Sequence, residues 1–479
     1  MVTTHCRKFV AGFGLLALGA SSARADTLDD WVRNQTNQSR AKMLANVSPS
    51  GAQAGSVSAA APVFTAYYAN WIRDAGLVMN AVTNLYDKSS KKEDQLRYFK
   101  ILTDYIDFSR KLQLTPNRSG NPWDTGLGEP KFNMDGSTFD GNWGRPQNDG
   151  PAIRAITLIH LAHILIAQGR QDFVKQHLFS ATMPADTVVK ADLEFVAHHW
   201  MDSSFDLWEE VRADHFYTRM VQRRALVEGA ELAHLLGDHA AGDYYSAQAG
   251  SLSQSLDGFW DPSAGYIRTT FNRVEGLDYK WSNLDSSVIL AALHTEGQDG
   301  FYSVTDDRML SSVEKVSSTF HQNYNVNANT ALPSGEALGV AIGRYSEDRY
   351  NGYNSSFQGN PWFLLTDALA EFYYKASKSF LQKGSIAISW TNLAFFRSLP
   401  GMDGKLSPGQ VLTSADGAFY DLTSKLRAAG DATLRRVRFH GGSDYSLSEQ
   451  FNRENGYMQG ADDLTWSHAS FLSVSWARE

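Results

Sequence analysis

Cysteine is almost missing from this chain of 479 residues: the sequence holds one, Cys6. Past the N-terminus that excludes disulfides, a thiolate nucleophile and any cysteine-based metal site; a chain this long folds without such staples. A basic surplus is missing too. With 44 Lys and Arg against 52 Asp and Glu the formal net charge is −8. No Lys/Arg run offsets it, so no nucleic-acid partner is expected, because phosphate binding needs a clustered basic face. Beyond the N-terminus no apolar run reaches the roughly 20 residues of a membrane span, so no membrane partner is expected either. The sequence has no Walker A loop, no dinucleotide fingerprint, no Gly-x-Ser-x-Gly and no His-Glu-x-x-His. His198 and His199 are adjacent in a helical stretch and point different ways, which suits packing rather than metal ligation. No metal and no cofactor is expected.

What is present begins with Arg7-Lys8, an apolar stretch from Phe9 to Ala20, and Ala23-Arg24-Ala25. A charged start, a short apolar core and an Ala-x-Ala site read as a secretory signal peptide over residues 1–25. The mature chain, 26–479, is then secreted, extracellular or periplasmic. No Pro/Ser/Thr-rich linker or low-complexity block interrupts it, which favours a single domain. Helix-length apolar or amphipathic segments recur at Leu28–Asn46, Ala69–Tyr86, Asp94–Leu112, Pro151–Gln168, Val188–Met201, Tyr217–Leu236 and Ala241–Leu256. They continue at Ser286–His294, Arg308–Phe320, Pro361–Ser379, Ser389–Ser398, Gly409–Ala429 and Asp463–Ala477. Pro151–Gln168 has hardly any polar face, so it must be buried on all sides. Others, such as Asp94–Leu112, keep a solvated face. That alternation predicts an all-α fold with two concentric layers of helices, and no fixed repeat supports a solenoid. Tyr266–Thr270 and Arg436–Phe439 read as short strands.

Two glutamates carry the chemistry. Glu209 lies in Asp206-Leu207-Trp208-Glu209-Glu210, and Glu449 in Ser448-Glu449-Gln450-Phe451. A carboxyl pair across a pocket can protonate a leaving oxygen and activate a water. Three acids within five residues are expected to raise one another's pKa, which suits a general acid. Tyr67-Tyr68 followed by Trp71-Ile72-Arg73-Asp74 offers aromatic faces and a donor–acceptor set for sugar hydroxyls. Long non-periodic stretches at 128–151 and 343–362 read as functional loops.

Together these blocks closely resemble the fungal-type glucoamylases of glycoside hydrolase family 15. The resemblance rests on Tyr-Ala-Asn-Trp-Ile-Arg-Asp-Ala-Gly (68–76), Gly-Leu-Gly-Glu-Pro-Lys-Phe-Asn (126–133) and Trp-Gly-Arg-Pro-Gln-Asn-Asp-Gly-Pro-Ala (143–152). Phe-Asp-Leu-Trp-Glu-Glu-Val (205–211), Gly-Arg-Tyr-Ser-Glu-Asp (343–348), Gly-Asn-Pro-Trp-Phe-Leu (359–364), Ser-Glu-Gln-Phe (448–451) and Asp-Leu-Thr-Trp-Ser (463–467) complete it, in family order. It implies an (α/α)6 barrel that removes β-glucose from the non-reducing ends of α-1,4-glucans such as starch and maltooligosaccharides, with inversion. Glu209 matches the general acid and Glu449 the general base; Asp206 matches an aspartate sometimes credited with the base role, and is ranked here as a group that tunes the acid. Arg73, Asp74 and Arg344 match the clamp on the terminal glucose. Trp208 and Glu210 match contacts to the sugar beyond the scissile bond, Tyr67 the tyrosine near the developing charge, and Trp143 and Trp362 pocket aromatics. Trp71, Leu207 and Asp348 complete the expected substrate-binding set.

The chain also departs from the family pattern. A starch-binding module and its Ser/Thr-rich linker are absent, as are the disulfides of fungal members. Gly460 stands where those members often carry a serine beside the base, and Arg349–Gln358 is an extra stretch expected to reshape the pocket rim. A monomer is expected. An α-1,6-directed relative and a silent sugar-binding scaffold remain as alternatives.

Overall fold

The helix Asp149–Ala167 shows how the molecule is organised: Leu158, Ile159, Leu161 and Leu165 are all 0% exposed. Burying each is worth about 1.5–3 kcal/mol, and an apolar helix of this kind needs neighbours all round. In this computed structural model, which describes residues 27–479, it finds them. Fourteen α-helices are present among the described residues; the signal-peptide assignment lies outside them.

Six helices close a ring in which each touches the next: Ile72–Lys88, Asp149–Ala167, Phe216–Leu236, Ser287–His294, Phe363–Lys383 and Thr465–Arg478, the last returning to the first. A second layer covers them, alternating with them along the chain: Leu28–Ala45, Lys92–Leu114, Val188–His199, His239–Leu256, Asp307–Asn323 and Gly417–His440. This is the expected (α/α)6 barrel. Asp149–Ala167, with 19 residues, is long and apolar enough to cross a membrane; here it belongs to the enclosed inner layer.

Side-chain N-caps occur at three of the six outer helices. In the outer layer, Thr27, Asp238 and Asp306 accept hydrogen bonds from the first-turn N–H groups of Asp30, Ala241 and Arg308, as N-caps should. None of the six inner helices has a side-chain cap. Loop carbonyls replace it: Ile72 N donates to Pro130 O, Phe216 N to Thr269 O, Phe363 N to Glu449 O and Thr465 N to Ala59 O. The residues entering the inner helices are thereby free to carry function. Short antiparallel pairings hold these entry loops: Asn70–Trp71 with Lys131–Phe132, Ser204–Phe205 with Val211–His215, and Gln450–Phe451 with Met458–Gln459.

Three expectations need correction. Arg436–Phe439 is not a strand; it is the last turn of Gly417–His440. Buried Leu426, Gly430, Thr433, Leu434 and Val437 continue a helical stripe, and Arg436 anchors it by donating to Gly339 O and Val326 O, each at 2.8 Å. The same helix does not begin at Gly409 or end at Ala429. It runs through Gly430, where a β-carbon would stand 2.7 Å from the Tyr374 ring; glycine here serves close helix approach rather than termination. The strand expected at Tyr266–Thr270 is split between Tyr266–Ile267 and Thr270–Gly276.

Candidate active site

The acid side is a turn fastened by Asp206. Its Oδ1 accepts from Glu210 N at 2.7 Å and Val211 N at 3.0 Å, while Glu209 N donates to its carbonyl at 2.8 Å. The clasp puts Glu209 at φ 67, left-handed backbone that a non-glycine residue adopts only when its surroundings enforce it. Burial alone would raise the Asp206 carboxyl, but Lys280, 3.0 Å from Oδ2, the nearby His215 and the two backbone donors hold it down to about 2. The three neighbouring acids therefore do not simply raise one another. Glu210 is raised, chiefly by burial.

Glu209 faces the cavity with its side chain 20% exposed. Three contacts fall on its Oε1: Trp71 Nε1 at 2.8 Å, Gln147 Nε2 at 3.2 Å and Arg73 Nη2 at 3.7 Å. Arg73 is itself fixed by Gln147 Oε1 at 2.9 Å and Asp149 Oδ2 at 3.2 Å. Burial pushes Asp74, beside it, up to about 6.

The next part of the wall is built on Arg344. Its guanidinium grips Asp348 through two hydrogen bonds, 2.8 and 2.6 Å, and reaches Glu210 Oε1 at 2.8 Å. Tyr345 donates to the other Glu210 oxygen at 2.6 Å. Trp208 and Trp362, with centroids 5.8 Å apart, each lie 5.6 Å from the guanidinium. Trp208 Nε1 is held by Asp285 at 3.0 Å.

Glu449 is 3% exposed. Tyr67 donates to its Oε1 at 2.7 Å and Tyr350 lies 3.3 Å from its Oε2. Burial pushes its carboxyl up to about 7, because the two tyrosines and Arg344 offset only part of the lost hydration.

These walls enclose a cavity of about 810 Å³, within the size range of small-molecule sites. Tyr67, Trp71, Arg73, Asp74, Trp143, Leu207, Trp208, Glu209, Glu210, Arg344, Trp362 and Glu449 all line it. Asp206 and Asp348 do not line it; they stand behind Glu209 and Arg344. Buried Trp143 Nε1 and Trp362 Nε1 make no hydrogen bond within the protein, while Arg73 Nε and Asp74 Oδ2 have only each other, as an ion pair at 3.4 Å. Such atoms are costly unless a ligand engages them.

Sequence reasoning did not single out Gln147, Lys131, Tyr350 or Trp466. Gln147 bridges Arg73 and Glu209. Lys131 Nζ sits among the rings of Trp71, Trp143 and Phe139 at 4.1, 3.7 and 4.2 Å, and burial brings it down to about 8. Tyr350 and Trp466 line the cavity. All four fall in segments already read as loops or motifs, but only contacts across long sequence distances reveal their use. His198 and His199 bond locally, to Glu194 O and Asp202.

A family model described as Glycosyl hydrolases family 15 matches residues 34–476. The chain belongs to this family. It is a glycoside hydrolase. Among curated relatives, a Glucoamylase of Blastobotrys adeninivorans is 41% identical over 95% of this chain and 73% of its own. A Probable glucoamylase of Schizosaccharomyces pombe is 32% identical over 98% and 96%. The solved family 15 glucoamylase of Hypocrea jecorina superposes with a TM-score of 0.83 at 35% identity, over 94% of this chain and 72% of that one. The Saccharomycopsis fibuligera glucoamylase structure gives 0.83 at 29%, over 94% and 95%.

Proposed function

We propose that this chain is a secreted, exo-acting, inverting glucan 1,4-α-glucosidase that releases β-D-glucose from the non-reducing ends of starch and maltooligosaccharides. The observation that carries the reading is the cavity's division of labour. One carboxylate, Glu209, lies beside a clamp of Arg73 and Asp74; the other, Glu449, lies beside two tyrosines and Arg344.

In this reading Glu209 gives its proton to the glycosidic oxygen as the bond from that oxygen to the anomeric carbon breaks. A water attacks the anomeric carbon from the opposite face and passes its proton to Glu449, so the anomeric configuration inverts. Each proton transfer contributes typically about 10²–10⁴-fold. Arg73, Asp74 and Arg344 bind the hydroxyls of one terminal glucose, which confines cleavage to chain ends. Trp208 and Glu210 serve the next sugar; Trp71, Trp143 and Trp362 supply stacking faces.

Glu209→Gln and Glu449→Gln are each expected to reduce turnover of maltose by at least about 10²-fold with the circular-dichroism melting curve still cooperative. Near-normal turnover in either variant overturns the assignment. One feature favours a second reading: Tyr353 and Ser355 of the extra stretch also line the cavity, where they would meet the acceptor sugar and alter linkage preference. Isomaltose cleaved faster than maltose would establish that reading instead.

A further inference from the structure

The base side holds an arrangement that acid–base chemistry alone does not explain. Four oxygens make three contacts: Tyr350 Oη to Tyr67 Oη at 2.6 Å, Tyr67 Oη to Glu449 Oε1 at 2.7 Å, and Tyr350 Oη to Glu449 Oε2 at 3.3 Å. Burial, together with the Glu449 charge, raises both phenols above their ordinary value, so each keeps its proton and each has only one. Two protons cannot serve three contacts. The two short ones take them: Tyr350 donates to Tyr67, and Tyr67 donates to Oε1. Oε2 is left with the long contact.

The backbone beside Oε2 is correspondingly bare. Gly460 has φ +80, and a β-carbon there would stand 2.6 Å from Oε2. Pressed against it is Gly352, φ +91, whose own β-carbon would stand 2.8 Å from Gly460 Cα. Both positions favour glycine by conformation and both exclude a side chain by contact. Gly352 and Tyr350 belong to one loop. Asp348 Oδ1, while gripping Arg344, accepts from Tyr350 N at 2.9 Å. Gly359 N closes the loop onto Asp348 O at 2.7 Å. Gln459, next to Gly460, donates to Asn351 O at 2.6 Å. The loop that delivers the Tyr350 hydroxyl is thus the loop that packs glycine on glycine beside Oε2.

We propose that the two oxygens of Glu449 have separate tasks. Oε1 is held by the relay from Tyr350 through Tyr67, and Oε2, kept clear by Gly352 and Gly460, is the atom that takes the proton of the attacking water. Tyr350 is a positioning residue in this scheme, acting through Tyr67. The inference rests on Glu449 being the general base. The charged and titratable groups facing Glu449 are Tyr67, Tyr350, Arg344 and Asp348. The two phenols and the guanidinium keep their protons where the base titrates. Asp74, raised to about 6, adds to the acidic limb equally in wild type and in a Tyr350 variant, so a shift of the limb between the two reports Glu449.

The test uses the full-length chain. Tyr350→Phe removes the outer donor without adding bulk. The acidic limb of kcat/KM for maltose is expected to move up by about half a unit to one unit, with KM changed less than threefold. Gly460→Ala crowds Oε2, and kcat is expected to fall by about 10²-fold while glucose still binds, read by tryptophan fluorescence. An unshifted limb in Tyr350→Phe overturns the relay. Turnover within threefold of wild type in Gly460→Ala overturns the assignment of Oε2, and so does a loss of glucose binding that accounts for the whole defect. The base reading is checked separately: Glu449→Ala with α-glucosyl fluoride and azide should form β-glucosyl azide. If no azide adduct forms and Glu449→Gln keeps its turnover, the base assignment has failed, whatever Tyr350 does.

Discussion

Replacing Asp206 by Asn separates two roles that a carboxylate beside Glu209 could have. The carboxyl is held at about 2 against an ordinary value of 3.8. At about 1.4 kcal/mol per unit, its ionised form contributes about 2.5 kcal/mol to folding. The folded pKa is depressed, so that stability is present above about pH 4 and is lost as pH falls through 2. Asn keeps one oxygen for the N–H groups of Glu210 and Val211 but turns an amide donor toward Lys280. Lys280 retains Asp285 at 3.2 Å, so the loss is smaller than for a stranded buried charge. We expect Asp206→Asn to unfold about 2–3 kcal/mol more easily in urea at pH 7. Relaxation of the turn that holds Glu209 at φ 67 should lower kcat about 10- to 100-fold. Because Asp206 acts through Glu209, adding Asp206→Asn to Glu209→Gln should cost stability but little further turnover. Wild-type stability in Asp206→Asn refutes the clasp. Azide rescue of Asp206→Ala would show that Asp206, not Glu449, is the base.

Three further outcomes follow from the same contacts. Asp74, raised to about 6, should hold the hydroxyls of glucose more tightly once ionised, so glucose affinity measured by fluorescence should strengthen as pH rises through 6, and Asp74→Asn should remove that dependence. Glu449 sits at about 7 against 4.5, a raised value whose stabilising effect is present below pH 4.5 and lost as pH rises through 7. Glu449→Gln should therefore be more resistant to urea than wild type at pH 8, by about 3.5 kcal/mol, and the difference should shrink toward pH 4; equal stability at both pH values would contradict this. Gly430→Ala, which forces a methyl to 2.7 Å from the Tyr374 ring, should destabilise by about 1–3 kcal/mol without changing KM, as a melting curve and a maltose saturation series will show.

How far the sequence led can be argued from particular residues. The barrel was legible because Asp149–Ala167 has hardly any polar face while helices such as Lys92–Leu114 keep one; period and polarity are local properties. The site was legible where chemistry is clustered in short blocks, as at 71–74 and 206–210. The fate of Gly430 was not, because nothing local tells a glycine that ends a helix from one that lets a helix approach Tyr374. Arg436–Phe439 misled for a similar reason: Val437 and Phe439 favour a strand locally, and burial of Leu434 and Val437 against the inner layer decides for helix. Lys131, Gln147 and Tyr350 are polar residues in loops until residues far along the chain give them partners. Their roles are properties of the fold.

The most direct test of the proposed activity is proton NMR of maltotetraose hydrolysis by the full-length chain, followed faster than mutarotation. Exo-acting inversion through Glu209 and Glu449 requires that β-glucose and maltotriose be the first products. Release of α-glucose, or of maltose from internal cleavage, would contradict it.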